Sequence, residues 1–414
     1  MTPALLAGLA SGLEELSAAG QRRTRRTLGS PQGHRVIVEG RELLSFASND
    51  YLGLASHPEV IAAVRDGAAR WGAGAGASHL VCGHFAPHEA LEDELARFVR
   101  PCAGARALVF SSGYLANLAI LTALAGRSDA IFADRLNHAC LNDGALLSRA
   151  ELVRYPHRDV QALSRRLAAS TAKRKLIATD AVFSMDGDVA PLAELCALAE
   201  RHDAWLVVDD AHGFGVLGTG DDSGRGTLAH VGLESERVVY MGTLGKAAGV
   251  SGAFVAAHPL VIDTLLQTAR SYIFTTALPP FIAAALEKSV AIIRDDGARR
   301  AHLFALVARF RERMRALPWA LRESFTPIQP IVVGANSAVV ELASELWCRG
   351  FWVPAIRPPT VPKGTARLRV SLSAAHRIAD VDALVETLTE LAPAFAHRAR
   401  NASEARTGGG DSVR

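Results

Sequence analysis

Three short segments in the middle of the chain combine reactive side chains with glycine. They read Ser184-Met185-Asp186-Gly187, Asp209-Asp210-Ala211-His212-Gly213 and Gly242-Thr243-Leu244-Gly245-Lys246. Each segment alone has a structural explanation, such as a cap or a solvated lysine in a loop. Together they supply an amine, carboxylates, an imidazole and hydroxyls, which are groups that a nucleophilic or acid–base site requires.

Two further polar segments follow apolar stretches of the chain. Ser111-Ser112-Gly113-Tyr114 opens a predicted helix, and Asn137-His138 precedes another. The first segment alone is more often an ordinary helix start. Its alternative use is a phosphate site, because the N–H groups of Gly113 and Tyr114 and the helix dipole would attract an anion. A lone histidine such as His138 is more often a structural residue.

The combined set matches the needs of pyridoxal 5′-phosphate (PLP). This cofactor requires an amine, a carboxylate opposite its pyridine nitrogen, a donor near its phenolic oxygen and donors for its phosphate. Lys246 supplies the amine, and Asp209 supplies the carboxylate. His212 can reach the phenolic oxygen, Thr243 can donate to the phosphate, and His138 can lie flat on the ring. The sequence therefore predicts a PLP site.

The elements that must position these groups are predicted from about residue 106 onward. Short apolar strands alternate there with amphipathic helices, which favours a mostly parallel sheet covered on both faces. Ligands bind at the carboxyl edge of such a sheet, and the polar segments all follow predicted strands. The predicted strands are 107–110, 130–133, 151–154, 176–179, 205–208, 237–241 and 253–256.

A second, smaller α/β domain is predicted beyond Pro279-Pro280. Its predicted sheet contains strands 328–333, 351–354 and 366–372, with helices that begin at Ser337 and Ile378. The predicted organisation is an N-terminal helix and arm (1–47), a large domain (48–285), a small C-terminal domain (286–397) and a disordered tail (398–414).

Composition excludes several classes of protein. Of the 414 residues, 45 are Lys or Arg and 42 are Asp or Glu, so no nucleic-acid partner is expected. Five cysteines without C-x-x-C spacing indicate no zinc site and no disulfide framework; we predict no metal and a cytoplasmic location. Apolar runs have strand length, so no membrane span is expected. Helical spacing predicts an amphipathic packing helix at Leu5, Leu6, Leu9, Leu13 and Leu16.

These motifs, with Asn49-Asp50-Tyr51-Leu52-Gly53, resemble the α-oxoamine synthases over about residues 5–395. The resemblance implies a fold-type-I PLP enzyme with an α/β fold like that of aspartate aminotransferase. It also implies a homodimer with active sites at the subunit interface. Segments 355–362 and 364–369 are similar to family members that join L-alanine to a pimeloyl thioester, carried by coenzyme A or an acyl carrier protein, in biotin biosynthesis.

The resemblance also implies a role for each site residue. Lys246 would bind the cofactor, Asp209 would pair with its ring nitrogen, and His138 would stack on the ring. Ser184 and His212 would contact the phenolic oxygen. The remaining implied contacts are Gly113, Tyr114, Thr243 and the neighbouring subunit's Thr275 or Thr276 to the phosphate, and Arg23, Asn49, His138, Thr360 and Arg369 to substrates.

Some alternatives stay open at this point. The same residues would serve glycine with acetyl-CoA or succinyl-CoA, or serine with a long-chain thioester. An aminotransferase or a decarboxylase of this fold would need no thioester. A non-catalytic homologue is disfavoured by four intact residues, Lys246, Asp209, His138 and Arg369. His79 and Cys82 stand where the family more often has basic and hydroxylic residues. The proline-rich segment 357–362 predicts a stiff loop suited to an acyl channel.

Overall fold

The computed structural model describes residues 3–19, 21–220, 223–319 and 321–407, and beyond Phe395 it describes the backbone alone. The chain forms two compact units. The central unit comprises Asn49–Ser184 and Asp188–His302. The terminal unit comprises the N-terminal segment up to Ser48, the short stretch Met185–Gly187 and the C-terminal part from Leu303.

Strands and helices alternate along most of the chain. The strands are β1 (Arg35–Val38), β2 (Arg41–Ser45), β3 (Arg106–Phe110), β4 (Ala130–Asp134), β5 (Glu151–Tyr155), β6 (Lys175–Asp180), β7 (Ala204–Asp209), β8 (Val238–Thr243), β9 (Ala253–Ala257), β10 (Ile328–Gly334), β11 (Phe351–Trp352), β12 (Ala355–Ile356) and β13 (Ala366–Ser371). The helices are α1 (Ala4–Ala18), α2 (Pro58–Trp71), α3 (Ala86–Val99), α4 (Gly113–Leu124), α5 (Ala139–Ser148), α6 (Val160–Ala169), α7 (Leu192–Arg201), α8 (Thr227–His230), α9 (Pro259–Thr268), α10 (Arg270–Ile273), α11 (Pro280–Asp295), α12 (Gly297–Met314), α13 (Asn336–Cys348) and α14 (Ile378–Thr407), with a π-helical turn at His79–Gly83.

The central unit contains a seven-stranded sheet in the order β3-β9-β8-β7-β6-β4-β5. Strand β9 runs antiparallel to both of its neighbours, and all other pairs are parallel. The carboxyl ends of β3, β4, β6, β7 and β8 therefore lie at one edge. This arrangement confirms the predicted α/β fold, and it brings the polar segments that follow these strands to the same side of the sheet.

Buried apolar residues fix that sheet between helices. Every residue of β4 and β9 is buried, which explains why these strands are continuous apolar sequences rather than alternating ones. On one face, Ile120 and Leu141 pack with the strand residue Val255, and all three are inaccessible to solvent. Full burial of each such side chain stabilises the fold by about 1.5–3 kcal/mol. The edge that carries the polar segments is therefore rigid.

The terminal unit contains two three-stranded sheets, β1-β2-β11 and β10-β13-β12. The predicted strand 351–354 was placed in the wrong sheet, because Phe351 pairs in parallel with Leu44 of β2. The strand beside β13 is instead β12, which the sequence did not reveal. Pro354 separates β11 from β12, and its missing N–H cannot continue a ladder of hydrogen bonds.

Two of the predicted domain boundaries fall inside helices. The predicted boundary at 285/286 falls inside α11, and residues 398–407, predicted to be disordered, continue α14. Residues 408–414 of the predicted tail lie outside the described residues. Helix α1 is present, but its five leucines are 42% to 76% exposed, so the predicted packing is not found within one chain. Among the described helices, none is long and apolar enough to cross a membrane.

Candidate active site

Lys246 lies in the tight loop between β8 and β9. Its carbonyl accepts a hydrogen bond from the Gly249 N–H at 2.8 Å, and the Leu244 N–H donates to the Gly252 carbonyl at 2.8 Å. Gly249 has a φ of +70°, and a Cβ there would lie 2.4 Å from the Ala55 nitrogen. Only glycine fits this position, so the loop holds Lys246 at the carboxyl edge of the sheet.

His212 lies between Lys246 and Tyr51. Its Nε2 is 2.9 Å from the Lys246 Nζ, and its Nδ1 is 2.7 Å from the Tyr51 hydroxyl. The Tyr51 hydroxyl can also donate to the Asn49 Oδ1, at 3.1 Å, and it therefore links His212 to Asn49.

Asp209 and Asp210 both follow the apolar part of β7, but their carboxyl groups bind different partners. Asp210 accepts from the Tyr240 hydroxyl at 2.9 Å and from the Thr227 N–H at 2.6 Å. Burial raises the pKa of Asp210 to about 7. Asp209 Oδ1 accepts from the Ala211 N–H at 3.0 Å. Asp210 thus joins structural elements, and Asp209 is the carboxylate that remains for chemistry.

Asn117 and Cys140 surround Asp209, and the sequence pattern indicated neither. The Asn117 amide donates to Asp209 Oδ2 at 2.7 Å and to the Cys140 sulfur at 3.1 Å. Burial, with a further contribution from Asp209, raises the pKa of the Cys140 thiol to about 12, so the sulfur keeps its proton. Both residues lie within largely apolar helices, where a polar side chain carries no motif.

His138 is the N-cap residue of α5. Its Nδ1 accepts from the Cys140 N–H at 3.3 Å and lies 2.8 Å from the Cys140 sulfur. Because Nδ1 is an acceptor, the proton of the neutral ring is on Nε2. The imidazole of His138 is therefore held in one orientation by its own helix.

A second buried carboxyl, Asp180, lies beside Asp209. The two residues are directly paired across β6 and β7. Asp180 Oδ2 accepts from the main-chain N–H of His138 at 2.6 Å. Burial raises the pKa of Asp180 well above its usual range, and the neighbouring Asp209 raises it further. This residue was missed from sequence because an Asp at the end of an apolar strand is a common cap.

The N-terminus of α4 meets the end of β8 through β9. Phe110 and Thr243 both pair with Ala253, one on each side of β9. Gly113 begins α4 immediately beyond β3, and a Cβ there would lie 4.0 Å from the Ala253 Cβ. The first N–H groups of a helix have no intrahelical acceptor, so those of Gly113 and Tyr114 are available to an anion.

The central unit also contains the predicted site residues Asn49, Ser184, Tyr114 and Thr276. Asn49 accepts from Tyr51, as described above, and Ser184 is half-buried just after β6. The side chain of Tyr114 is bonded to Asp143, which leaves its main chain for a ligand. Thr276 is exposed, and it follows Phe274, which is 70% exposed.

Arg23, Thr360 and Arg369 belong to the terminal unit. Arg369 is buried on β13 and donates to the Ser371 hydroxyl at 2.7 Å, whereas Arg23 and Thr360 are exposed. Asp186 lies there too and is bonded to Arg367, so it has a structural partner. This unit has a cavity of about 910 Å³ lined by the N-terminus of α13 and by Arg357, Lys363 and Gly364.

His79, on the π-helical turn, is buried. Its ring stacks on Tyr272 at 4.9 Å and its Nδ1 lies 2.9 Å from the His84 Nδ1. Burial, with smaller contributions from His88 and His84, lowers the pKa of His79 to about 3. His79 therefore supplies no positive charge. Cys82 is exposed on the same turn.

The donor set of the central unit fits PLP. The amine of Lys246 lies 2.9 Å from the Nε2 of His212, an ionisable group with which it can exchange a proton. Asp209 is buried and held by two hydrogen bonds, so it can keep an N–H⁺ opposite it charged. The α4 N-terminus and the Thr243 hydroxyl lie at the same sheet edge and suit a phosphate.

Comparison with known proteins agrees with this chemistry. The model of the aminotransferase class I and II family matches residues 41–388. An 8-amino-7-oxononanoate synthase from Azoarcus sp. (strain BH72) is 58% identical over 388 residues, which cover 94% of this chain and 98% of the relative. Another, from Aromatoleum aromaticum, is 59% identical and covers 94% of this chain and 99% of the relative.

Solved structures show the same fold. A serine palmitoyltransferase from Sphingomonas wittichii has a TM-score of 0.86 at 31% identity, with 97% of this chain and 99% of that one covered. An 8-amino-7-oxononanoate synthase from Francisella tularensis has a TM-score of 0.72 at 31% identity, with 84% and 97% covered. Fold and donor set thus define a PLP-dependent transferase of fold type I. The chain belongs to the aminotransferase class I and II family and, within it, to the 8-amino-7-oxononanoate synthases.

Proposed function

We propose that the chain condenses L-alanine with a pimeloyl thioester and releases carbon dioxide, the free thiol of the acyl carrier and 8-amino-7-oxononanoate, in biotin biosynthesis. One observation carries this proposal. The Lys246 amine lies 2.9 Å from His212 at the sheet edge that also bears the buried Asp209, in a chain 58% to 59% identical to synthases of this name. The carrier of the pimeloyl group would be coenzyme A or acyl carrier protein.

PLP, when bound, supplies a ring that accepts electrons from bonds broken at the amino-acid Cα. Lys246 would hold the cofactor and, once displaced by the substrate amine, take the Cα proton. Asp209 would keep the ring nitrogen protonated. His212 and Ser184 would bind the phenolic oxygen, and His138 would cover the ring face. The phosphate contacts would be Gly113, Tyr114, Thr243 and the neighbouring subunit's Thr276.

Substrate recognition would involve Arg369, Asn49 and His138 for L-alanine and Arg23 and Thr360 for the thioester. A guanidinium such as that of Arg369 binds a carboxylate in bidentate fashion, which fixes the Cα–H bond relative to the ring. Every amino acid has that carboxylate, so this contact selects the class of substrate and not L-alanine alone. The cavity beside Arg357 and Lys363 supports an acyl or carrier site in the terminal unit.

The wider assignments are also proposals. The chain would act as a homodimer with its active sites at the subunit interface, and the exposed Thr276 next to the exposed Phe274 supports a contact there. A cytoplasmic location is supported by five free cysteines, three of them buried. The functional division of the chain would remain an arm, a PLP domain and a small C-terminal domain.

The substrate pair can be tested directly with the purified protein. L-Alanine with pimeloyl-CoA should release CoA and carbon dioxide with a kcat/KM at least about 100-fold above that of glycine with acetyl-CoA or succinyl-CoA. Pimeloyl acyl carrier protein serves as a further donor. Faster turnover with glycine and a short-chain thioester would overturn the substrate assignment.

Four arginines follow α1, and two of them offer a matched pair of variants; the four are Arg22, Arg23, Arg25 and Arg26. Arg26 is engaged within its own unit, because it pairs with Glu39 at 3.0 Å and lies 3.8 Å above the Trp347 ring. Arg23 is exposed. Arg23→Ala should raise the thioester KM about tenfold with kcat nearly unchanged, because a guanidinium contact to an anionic substrate is lost. Equal effects of Arg23→Ala and Arg26→Ala would refute the role of Arg23.

A further inference from the structure

Three hydrogen bonds connect Asn137 and His138 to the end of β6. The Asn137 amide donates to the Ala178 carbonyl at 2.7 Å, and its Oδ1 accepts from the Asp180 N–H at 3.2 Å. The third bond is the one from the His138 N–H to Asp180 Oδ2, at 2.6 Å. The position of the His138 backbone is thus set by β6 and its last residue.

Among these bonds, the one to Asp180 involves His138 itself. The ring is then oriented by α5, through the Nδ1 contacts to Cys140. A side chain whose backbone and ring are both fixed can cover a flat ligand without losing further conformational freedom. Loss of the Asp180 oxygen would remove the bond to the His138 N–H and leave the two Asn137 bonds and the ring contacts in place.

Asp180 differs from the other carboxyls at this sheet edge in its surroundings. Asp134, at the end of β4, lies 3.0 Å from His157. Asp180 has no ion pair among the described residues, and it is buried next to Asp209 on the adjacent strand. A negative charge in such a place is costly, and two adjacent negative charges are more so.

We propose that Asp180 is a positioning residue that holds His138 in place by accepting a hydrogen bond from its main chain. Its carboxyl would be neutral, because it is buried beside Asp209 and has no ion pair among the described residues. This inference rests on the proposed roles of His138 and Asp209. The groups near Asp180 that carry or can carry charge are Asp209, Lys246, Asp134 and Cys140, besides His138.

Two substitutions separate the hydrogen bond from the charge. Asp180→Asn keeps an oxygen that can accept from the His138 N–H and removes the ionisable group. Asp180→Ala removes both. Asp134→Ala is the matched control, because it removes an equally buried strand-end carboxyl that binds His157 and does not bind the His138 main chain in the described structure.

The first measurements are the dissociation constant of PLP and the visible circular dichroism of the bound cofactor, which reports how its ring is held. Asp180→Ala should weaken PLP binding about tenfold and reduce the visible dichroism, while Asp180→Asn should restore both to within about threefold of wild type. The alanine variant should also raise the KM for L-alanine more than Asp134→Ala does.

The second measurement is thermal unfolding of the holoenzyme as a function of pH. A raised pKa in the folded state means that wild type loses stability as the pH rises above the ordinary range of an aspartate. Asp180→Asn lacks this group, so its Tm should exceed that of wild type at pH 8 by more than at pH 5. If the Tm difference between Asp180→Asn and wild type does not grow with pH, the claim that the Asp180 carboxyl is neutral is wrong.

The remaining outcomes are equally decisive. If Asp180→Asn is as impaired as Asp180→Ala, the negative charge and not the hydrogen bond is needed, and the inference is wrong. If Asp180→Ala behaves like Asp134→Ala in dichroism and KM, Asp180 is merely structural. Should Asp180→Ala fail to fold, the asparagine variant still tests the claim. A wild-type protein whose Lys246 does not bind PLP would instead refute the proposed function.

Discussion

Two groups of histidines in the central unit use their ring nitrogens differently: His138 and His212 lie at the sheet edge, and His79, His84 and His88 form a second group. At the sheet edge, His212 has one nitrogen on Tyr51 and the other 2.9 Å from the Lys246 amine. In the second group, His88 accepts from the Phe85 N–H with Nδ1 and donates to the Leu278 carbonyl with Nε2. A ring nitrogen of the first group faces a reactive side chain, whereas the ring nitrogens of His88 in the second group bind main-chain groups that stabilise the fold.

The number of histidines is therefore a poor guide to the site. His79, His84 and His88 have ligand atoms within 4.8 Å of one another, which alone would suggest a metal. Both nitrogens of His88 are already committed, and His84 Nε2 lies 2.9 Å from Glu89. The absence of a metal remains a prediction. A reactive histidine is better recognised by what its second nitrogen faces.

The largest effect expected at the sheet edge comes from Asp209. Asp209→Ala removes the carboxylate that we assign to the ring nitrogen, so the ring loses its capacity to accept electrons. We expect kcat to fall by about 10³-fold or more, while PLP still binds through Lys246. Steady-state kinetics and cofactor absorbance measure the two effects. Near wild-type turnover would mean that another carboxyl has this role.

A smaller effect is expected from Tyr51, which acts on Lys246 through His212. Tyr51→Phe removes the oxygen that holds Nδ1 and thereby frees the tautomer of His212. We predict a loss of about tenfold in kcat/KM and a displaced pH profile. Rates measured from pH 6 to pH 10 would show it. An unchanged profile would contradict the idea that this histidine serves the reactive lysine.

The smallest effect on turnover is expected in the second group. His79→Phe keeps a ring on Tyr272, and we expect kcat/KM within about threefold of wild type. Stability should respond to pH, because a pKa lowered to about 3 in the fold means that wild type loses stability as the pH falls below about 6.5.

The same substitution also tests how His79 makes the stability of the fold depend on pH. At pH 5 the protonation penalty of His79 costs wild type on the order of 1–2 kcal/mol relative to pH 7, and His79→Phe should lack that part of the loss. Urea unfolding at the two pH values measures the difference. An activity loss as large as that of Tyr51→Phe would place His79 in the reactive group instead.

Much of the fold followed from the sequence because buried parallel strands are short apolar runs. Strands β3 to β9 were predicted to within about two residues, and the polar segments were expected at their carboxyl ends. The two-residue strands β11 and β12 are too short to show a pattern, which explains the misplaced pairing. The spacing of the α1 leucines predicts that they share one face of a helix, but it cannot show whether another part of the chain covers that face.

The site was predictable to the extent that its residues form local motifs. Lys246, Asp209 and His212 stand in glycine-containing segments, and the structure brings Lys246 and His212 into contact. Asp180 and Asn117 act through long-range pairing, which periodicity cannot reveal. The inward orientation of His79 depends on Tyr272, a residue far along the chain.

The central claim is that Lys246 is the residue that binds the cofactor. The holoenzyme should be reduced with borohydride, digested and analysed by peptide mass mapping. We predict that the added pyridoxyl mass is found on the peptide that contains Lys246, and that Lys246→Ala abolishes the label. A label on another lysine, or one that persists in Lys246→Ala, would contradict the account.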